Sequence, residues 1–243
     1  MKQTKIIMGM PITIEIVNKT SQAELNKIFN YFKSVDNRYS TYKTTSEIAK
    51  INHGLAKSKW SSEMKTVMKL CEQTKTLTNG YFDIAHSGQL DPSGLVKGWS
   101  INNASKMLIS MGKTDFYIEA GGDIQVQGKD KSDKVWEVGI RNPFEIKEII
   151  KVIKLKNQGV ATSGTYIRGQ HIYNPFSNLP INEVKSLTVI GPNVYEADRF
   201  ATAAFAMGVQ GIAFIEAAPG FEGYMVDNNK IATFTSGFRK YEA

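Results

Sequence analysis

Asp198 and Thr202 stand four positions apart in the run Glu-Ala-Asp198-Arg-Phe-Ala-Thr202-Ala-Ala-Phe-Ala-Met-Gly208. A helix would set both on one face, and a carboxylate beside a hydroxyl is a pair of hard oxygens suited to Mg²⁺ or Ca²⁺. The segment has a helical composition: it is rich in Ala, apolar at Phe200, Ala203, Ala204 and Met207, and stopped by Gly208. This places Asp198 in the first turn, beside the N–H groups and positive dipole end that favour phosphate. The same residues also fit an acid completing a first turn and a Thr bonded back to its own helix.

Other segments carry compatible chemistry. Gly80-Tyr81-Phe82-Asp83-Ile84 sets an acid beside two aromatics, and Asp91-Pro-Ser-Gly94-Leu-Val-Lys97-Gly98-Trp99 reads as a turn-rich loop feeding a helix. A carboxylate, backbone groups and a lysine near a helix start can hold an anion, although an Asp-Pro turn with a solvated lysine has the same wording. Gly121-Gly122-Asp123 lies between two strand-like runs, where paired glycines mean a turn or bulge with close backbone approach. Thr162-Ser163-Gly164 leads through Arg168 to His171, Ile172 and Pro175. No Gly-x-Ser-x-Gly elbow accompanies that Ser/His pair, which argues against a serine hydrolase. P-loop and dinucleotide fingerprints are absent. With three histidines, of which His53 and His86 read as surface loop residues, a His-rich zinc site is poorly supported.

The elements that must position these groups follow from periodicity. After Pro11 the run through Val17 alternates as a half-buried strand does, with Gly9 and Pro11 dividing the opening segment. Apolar residues at Leu25, Ile28, Phe29, Phe32 and Val35 predict a helix over 21–39, with Ser21 and Glu24 as a capping box. A second helix is predicted over 61–78 with Ser62 as cap, and a third from Lys97 to about Met111. Strands are predicted at 116–118, 124–127, 135–140, 148–155, 186–190, 223–227 and 231–235. Helices interleaved with partly antiparallel strands favour an α+β fold. No repeat or linker divides the 243 residues, so one compact unit over 1–243 is expected.

Composition narrows the partners. A formal charge of +7 would attract anions, whether nucleic acid, an acidic surface or a phosphorylated small molecule. The lysines are scattered, and zinc-finger and RNA-binding signatures are missing, so no nucleic acid is expected. The longest uncharged stretch, 200–215, is too short and too broken by glycines to span a bilayer. Cys71, the one cysteine, reads as a small core residue, without disulfide or metal role. The first ten residues hold two lysines and no long apolar run, so a signal peptide is not expected. A cytoplasmic location is expected, or an extracytoplasmic one if a leader was removed.

Taken in order, these segments resemble one family. Met8-Gly9, Ser40-Thr41-Tyr42 with Ser46-Glu47 and Asn52, Gly80 to Asp83, Asp91 to Gly98, Gly121 to Asp123, Thr162 to Gly164 with His171-Ile172, Asp198 with Thr202, and the terminal Thr235-Ser236-Gly237-Phe238 are similar to the motifs of the ApbE family of FAD:protein FMN transferases. The resemblance implies a single ApbE-like, T-fold-related unit with mixed, largely antiparallel sheets flanked by helices. It implies FAD as substrate and Mg²⁺ as cofactor, with Mn²⁺ or Ca²⁺ able to stand in. The FMN half would pass through a phosphoester bond to a Ser or Thr of a target flavoprotein carrying an Asp-Gly-x-Ser/Thr-Gly-Ala-Ser/Thr motif, and AMP would leave.

By motif, Asp198, Thr202 and the Gly94 carbonyl resemble the metal ligands. Met8, Tyr42, Tyr81, Phe82, Asp83, Asp91, Lys97, His171 and Ile172 resemble FAD contacts. Asp198 and Lys97 would serve catalysis electrostatically, and His171, with its near-neutral ordinary pKa, would take the proton of the incoming hydroxyl. Only residues 84–90 separate the Gly-x-Phe-Asp and Asp…Lys-Gly segments, a short-form spacing. An FAD pyrophosphatase, a non-catalytic flavin carrier and, more distantly, an anion-driven nucleic-acid binder are the alternatives.

Overall fold

A computed structural model describes residues 1–165, 169 and 172–243; Tyr166, Ile167, Arg168, Gln170 and His171 lie outside the described residues. The chain opens with β1 (Lys2–Ile7) and β2 (Met10–Ile16), an antiparallel hairpin whose two turn residues, Met8 and Gly9, both have positive φ, 58° and 71°. Those values match the tight turn that suits the twist of paired strands, and Met8 adopts them without glycine's freedom. Helix α1 (Gln22–Tyr39) follows. The predicted capping box is present in both directions, Ser21 side chain to Glu24 N–H and Glu24 carboxylate to Ser21 N–H.

Short α2 (Glu47–Asn52) and α3 (Ser62–Leu77) come next. The cap of α3 is Ser61, one residue before the expected Ser62, with its hydroxyl accepting Met64 N–H. A small hairpin, β3 (Ala85–His86) and β4 (Gln89–Leu90), leads to α4 (Ser93–Ser110). This helix starts four residues before the expected Lys97, so Gly94, Lys97 and Gly98 are helical rather than parts of a loop. Then come β5 (Phe116–Ala120), β6 (Asp123–Gln127), the hairpin β7 (Trp136–Arg141) and β8 (Ile149–Leu155), β9 (Gly159–Gly164) and β10 (Val184–Gly191). Helices α5 (Val194–Ala206) and α6 (Gly211–Glu216) and strands β11 (Glu222–Asp227) and β12 (Ala232–Phe234) complete the chain.

Eight strands form one sheet in the order β1-β2-β5-β6-β9-β10-β11-β12, and every ladder among the described residues is antiparallel. The α+β expectation holds, with sheets antiparallel throughout. Helices α1 and α4 bury Leu25, Phe29, Ile101 and Leu108 against Ile12, Ile14 and Ile118 of the first strands. Helix α5 buries Ala197, Ala201 and Phe205 against Leu187 and Val189. The other face of the later strands is closed by the β7–β8 hairpin through Trp136, Val138 and Ile153. Among the described residues no helix is long and apolar enough to cross a membrane.

Candidate active site

Strand β6 and helix α5 share a register. A strand repeats its face every two residues and a helix every three to four, so Asp123 and Gln125 on β6 come to face Asp198 and Val194 on α5. Gln125 Oε1 accepts the N–H of Val194 at 2.8 Å, and the Asn193 side chain accepts that of Glu196 at 3.1 Å. The start of α5 is seated on β9: a Cβ at Gly159 would lie 1.9 Å from the Val194 nitrogen. Asp198 is therefore the fifth residue of α5, not a first-turn residue, and these N-terminal N–H groups are taken up inside the protein. The expected phosphate cradle at this helix start is corrected on both counts.

Helix α4 crosses α5 at two glycines. A Cβ at Gly98 would lie 2.6 Å from Asp198 Cβ and 2.7 Å from the Val194 carbonyl oxygen. Instead the Gly98 N–H donates to Asp198 Oδ2 at 2.7 Å. One turn earlier, Thr202 Oγ1 donates to the Gly94 carbonyl at 3.3 Å. In a regular helix the N–H of residue 98 faces the carbonyl of residue 94; here α5 meets both groups, Asp198 accepting from the Gly98 N–H and Thr202 donating to the Gly94 carbonyl. The three oxygens expected to bind metal are thus gathered where α4 meets α5, one helical turn apart along α5.

Behind them lies a buried charge cluster. Asp123 is fully buried and Asp198 is 3 % exposed. The Lys97 ammonium sits 2.9 Å from Asp123 Oδ2 and 3.8 Å from Asp198 Oδ1. Asp123 Oδ1 accepts the N–H of Thr162 on β9 at 3.2 Å. Burial and the neighbouring Asp123 carboxylate hold the Asp198 carboxyl well above the usual carboxylate range, against the opposing pull of Lys97 and the Gly98 N–H. The two buried acids share one ammonium, and the mixed carbonyl, hydroxyl and carboxyl donor set is of the kind that suits a hard cation such as Mg²⁺. Among the described residues no group of three or more His, Cys, Asp and Glu side chains could hold a metal, so a cation here depends on this mixed set.

Lys97 also reaches a half-open cleft walled by Met8, Met10, Tyr39, Tyr42, Ser93 and Val96 among others. Tyr42 is 88 % exposed at the rim. The start of α4 opens onto this cleft, and there Asp91 Oδ1 accepts the Ser93 N–H at 2.9 Å.

A model of the ApbE family matches residues 8–89 and 85–225, overlapping at the short hairpin. This chain belongs to the ApbE family. It is 24 % identical to an FAD:protein FMN transferase of Vibrio cholerae, over 82 % of this chain and 77 % of that protein. It is 27 % identical to one of Haemophilus influenzae, over 62 % of this chain but 48 % of the relative, so it spans about half of that protein's length. Solved ApbE structures have the same fold: that from Thermotoga maritima aligns with a TM-score of 0.89 at 20 % identity, covering 100 % of this chain and 99 % of that one. The flavin transferase from Vibrio cholerae aligns with a TM-score of 0.86 at 22 % identity, covering 99 % and 98 %.

The ApbE motifs divide by location. Met8, Tyr42 and Lys97 meet in the cleft, and Gly94, Asp198 and Thr202 meet at the helix crossing. Tyr81, Phe82 and Asp83 do not line the cleft. The Tyr81 ring packs edge-on to Phe176 at 4.9 Å, and Asp83 pairs with Lys75 at 2.7 Å and caps the Ala85 N–H. Phe82 is 2 % exposed, so its ring belongs to the core rather than to a flavin-stacking surface, and it stands 3.5 Å from where a Gly94 Cβ would be. Asn52 binds both the N–H and carbonyl of Leu90, holding the β3–β4 hairpin. Ile172 is half-buried against the α5 core. His171 lies outside the described residues. His86 and His53 are both exposed, as expected; His86 stacks on Tyr173 at 4.4 Å, and His53 closes the end of α2 with its Nδ1 2.7 Å from the Ala49 carbonyl oxygen. Asp123 was missed as a site residue; its signal was the Gly-Gly-Asp wording, where a tight turn (φ 58° and 96°) delivers the acid to the first position of a buried strand.

Proposed function

We propose that this chain is a Mg²⁺-dependent FAD:protein FMN transferase that attaches FMN to a Ser or Thr of an acceptor flavoprotein. The observation that carries the reading is the convergence of the Gly94 carbonyl, Asp198 carboxylate and Thr202 hydroxyl beside Lys97, at the edge of the cleft. Membership of the ApbE family, and the FAD:protein FMN transferases among its relatives, support it.

Gly94, Asp198 and Thr202 would hold the cation, which when bound neutralises diphosphate oxygens and makes phosphorus more electrophilic. Met8 and Tyr42 offer a polarisable thioether and an aromatic face to a flavin or adenine ring. Lys97, at the inner end of the cleft, would meet the phosphates and stabilise the charge left on AMP. The acceptor hydroxyl forms a new O–P bond to the FMN phosphorus, the bond to the AMP phosphate breaks, and the hydroxyl proton leaves. His171, in the motif that follows Thr162-Ser163-Gly164, would take that proton. The acceptor is expected to carry the Asp-Gly-x-Ser/Thr-Gly-Ala-Ser/Thr motif.

Incubation with FAD and Mg²⁺, with and without an acceptor peptide, tests the reading by chromatography of the nucleotides. AMP release that requires acceptor supports transfer. Equal release of AMP and FMN without acceptor means a pyrophosphatase, and intact FAD throughout means a carrier.

A further inference from the structure

Asp123 is the buried acid that the proposed chemistry does not use. It is fixed on two sides: the Gly121-Gly122 turn sets it at the start of β6, and the Thr162 N–H on β9 binds its Oδ1. Its Oδ2 is buried without a hydrogen bond and is compensated by the Lys97 ammonium at 2.9 Å. That ammonium also makes a longer ion pair with Asp198 Oδ1 at 3.8 Å, close enough to shift fully onto it. An ammonium paired with Asp198 would occupy the oxygen that a divalent cation needs. The second oxygen of Asp198 is already committed to the Gly98 N–H.

We propose that Asp123 is a positioning residue of the cation site: it anchors the Lys97 ammonium on the sheet side, which keeps Asp198 Oδ1 open for a divalent cation while leaving Lys97 directed at the cleft. The inference rests on the proposed function, because it presupposes that a cation binds Asp198. It also accounts for why a second carboxylate is buried next to one already costly to ionise. A lysine side chain is a flexible four-carbon stem, and an acid on a rigid strand can hold its charge away from the competing carboxyl on the facing helix.

A double-mutant cycle read by Mn²⁺ binding, followed by electron paramagnetic resonance on the full chain, tests this without turnover. Asp123→Asn keeps the Thr162 contact and removes the anchor charge. With Lys97 present, it should raise the Mn²⁺ dissociation constant about tenfold or more, whereas in the Lys97→Met background the change should stay under about threefold, since the competing ammonium is gone. Equal factors in both backgrounds would overturn the proposal, because Asp123 would then act only as a remote charge or through the fold. If the parent chain shows no Mn²⁺ site that Asp198→Ala abolishes, the cation reading itself falls, a distinct result. Should Asp123→Asn fail to fold, Asp123→Ser carries the same comparison.

Discussion

Replacing Gly98 by alanine should destabilise the protein even though alanine is the better helix former. Gly98 sits in the interior of α4, has no positive φ, and by propensity alone its replacement would gain about 1 kcal/mol. The added Cβ would lie 2.6 Å from Asp198 Cβ and 2.7 Å from the Val194 carbonyl, neither of which is the flexible tip of a side chain. Overpacking of this kind costs about 1–3 kcal/mol, and parting α4 from α5 also weakens the Gly98 to Asp198 hydrogen bond, charge-assisted whenever Asp198 is ionised and then worth about 1.5–3 kcal/mol. The net expectation is a loss of about 2 kcal/mol, or a Tm lower by about 4–8 °C for a chain of this size. Gly94→Ala is the internal control. Its Cβ would meet Thr202 Cγ2 at 3.0 Å and Oγ1 at 3.4 Å, atoms that can swing aside, so its stability should change by less than about 1 kcal/mol. Thermal unfolding followed by circular dichroism measures both variants. A Gly98→Ala Tm equal to or above the parent's would refute the close-packed crossing as the device that sets Asp198 in place.

Three further outcomes follow from the same structure. Mg²⁺, by binding only the folded state, should stabilise the parent by about 2.7 kcal/mol at a hundred times its dissociation constant and so raise its Tm, and should leave Asp198→Asn unmoved; scanning calorimetry with and without Mg²⁺ checks this. Burial pushes the Cys71 thiol up to about 12, so at pH 8 the native protein should react with a colorimetric disulfide reagent at least about a hundredfold more slowly than the guanidinium-unfolded chain, and rapid stoichiometric labelling of native protein would contradict that burial. The Ser21 N–H, with the Lys113 ammonium, holds the Glu24 carboxyl down from 4.5 to about 2. A depressed carboxylate stabilises the fold fully above its unfolded value and loses that effect as pH falls through the folded one. The urea midpoints of the parent and Glu24→Gln should therefore differ most above pH 5 and converge towards pH 2.

What the sequence revealed was local. Ser21 and Glu24 specify the start of α1 within four residues, and the apolar period of residues 25–35 specifies its buried face, so both were legible. Helix α4 was read late because Asp91-Pro92 spells a turn and Gly94 and Gly98 penalise a helix, while those glycines exist for the close approach of α5, 100 residues away. Strand β9 escaped because Gly159-Val-Ala-Thr-Ser-Gly164 has small residues in place of the usual branched and aromatic ones; the space is taken by the start of α5. For the same reason α5 was placed a turn too far along the chain. The metal-ligating trio was legible from helical spacing together with motif resemblance. Asp123 was not, because its meaning arises only when β6 is laid against two helices distant in sequence.

The central claim is tested most directly by mass spectrometry of an acceptor peptide bearing Asp-Gly-x-Thr-Gly-Ala-Thr, incubated with the protein, FAD and Mg²⁺ beside Asp198→Ala and a chelator control. The account predicts a gain of one FMN on the peptide threonine that disappears in both controls. FMN attached equally well by Asp198→Ala, or in the presence of chelator, would contradict it.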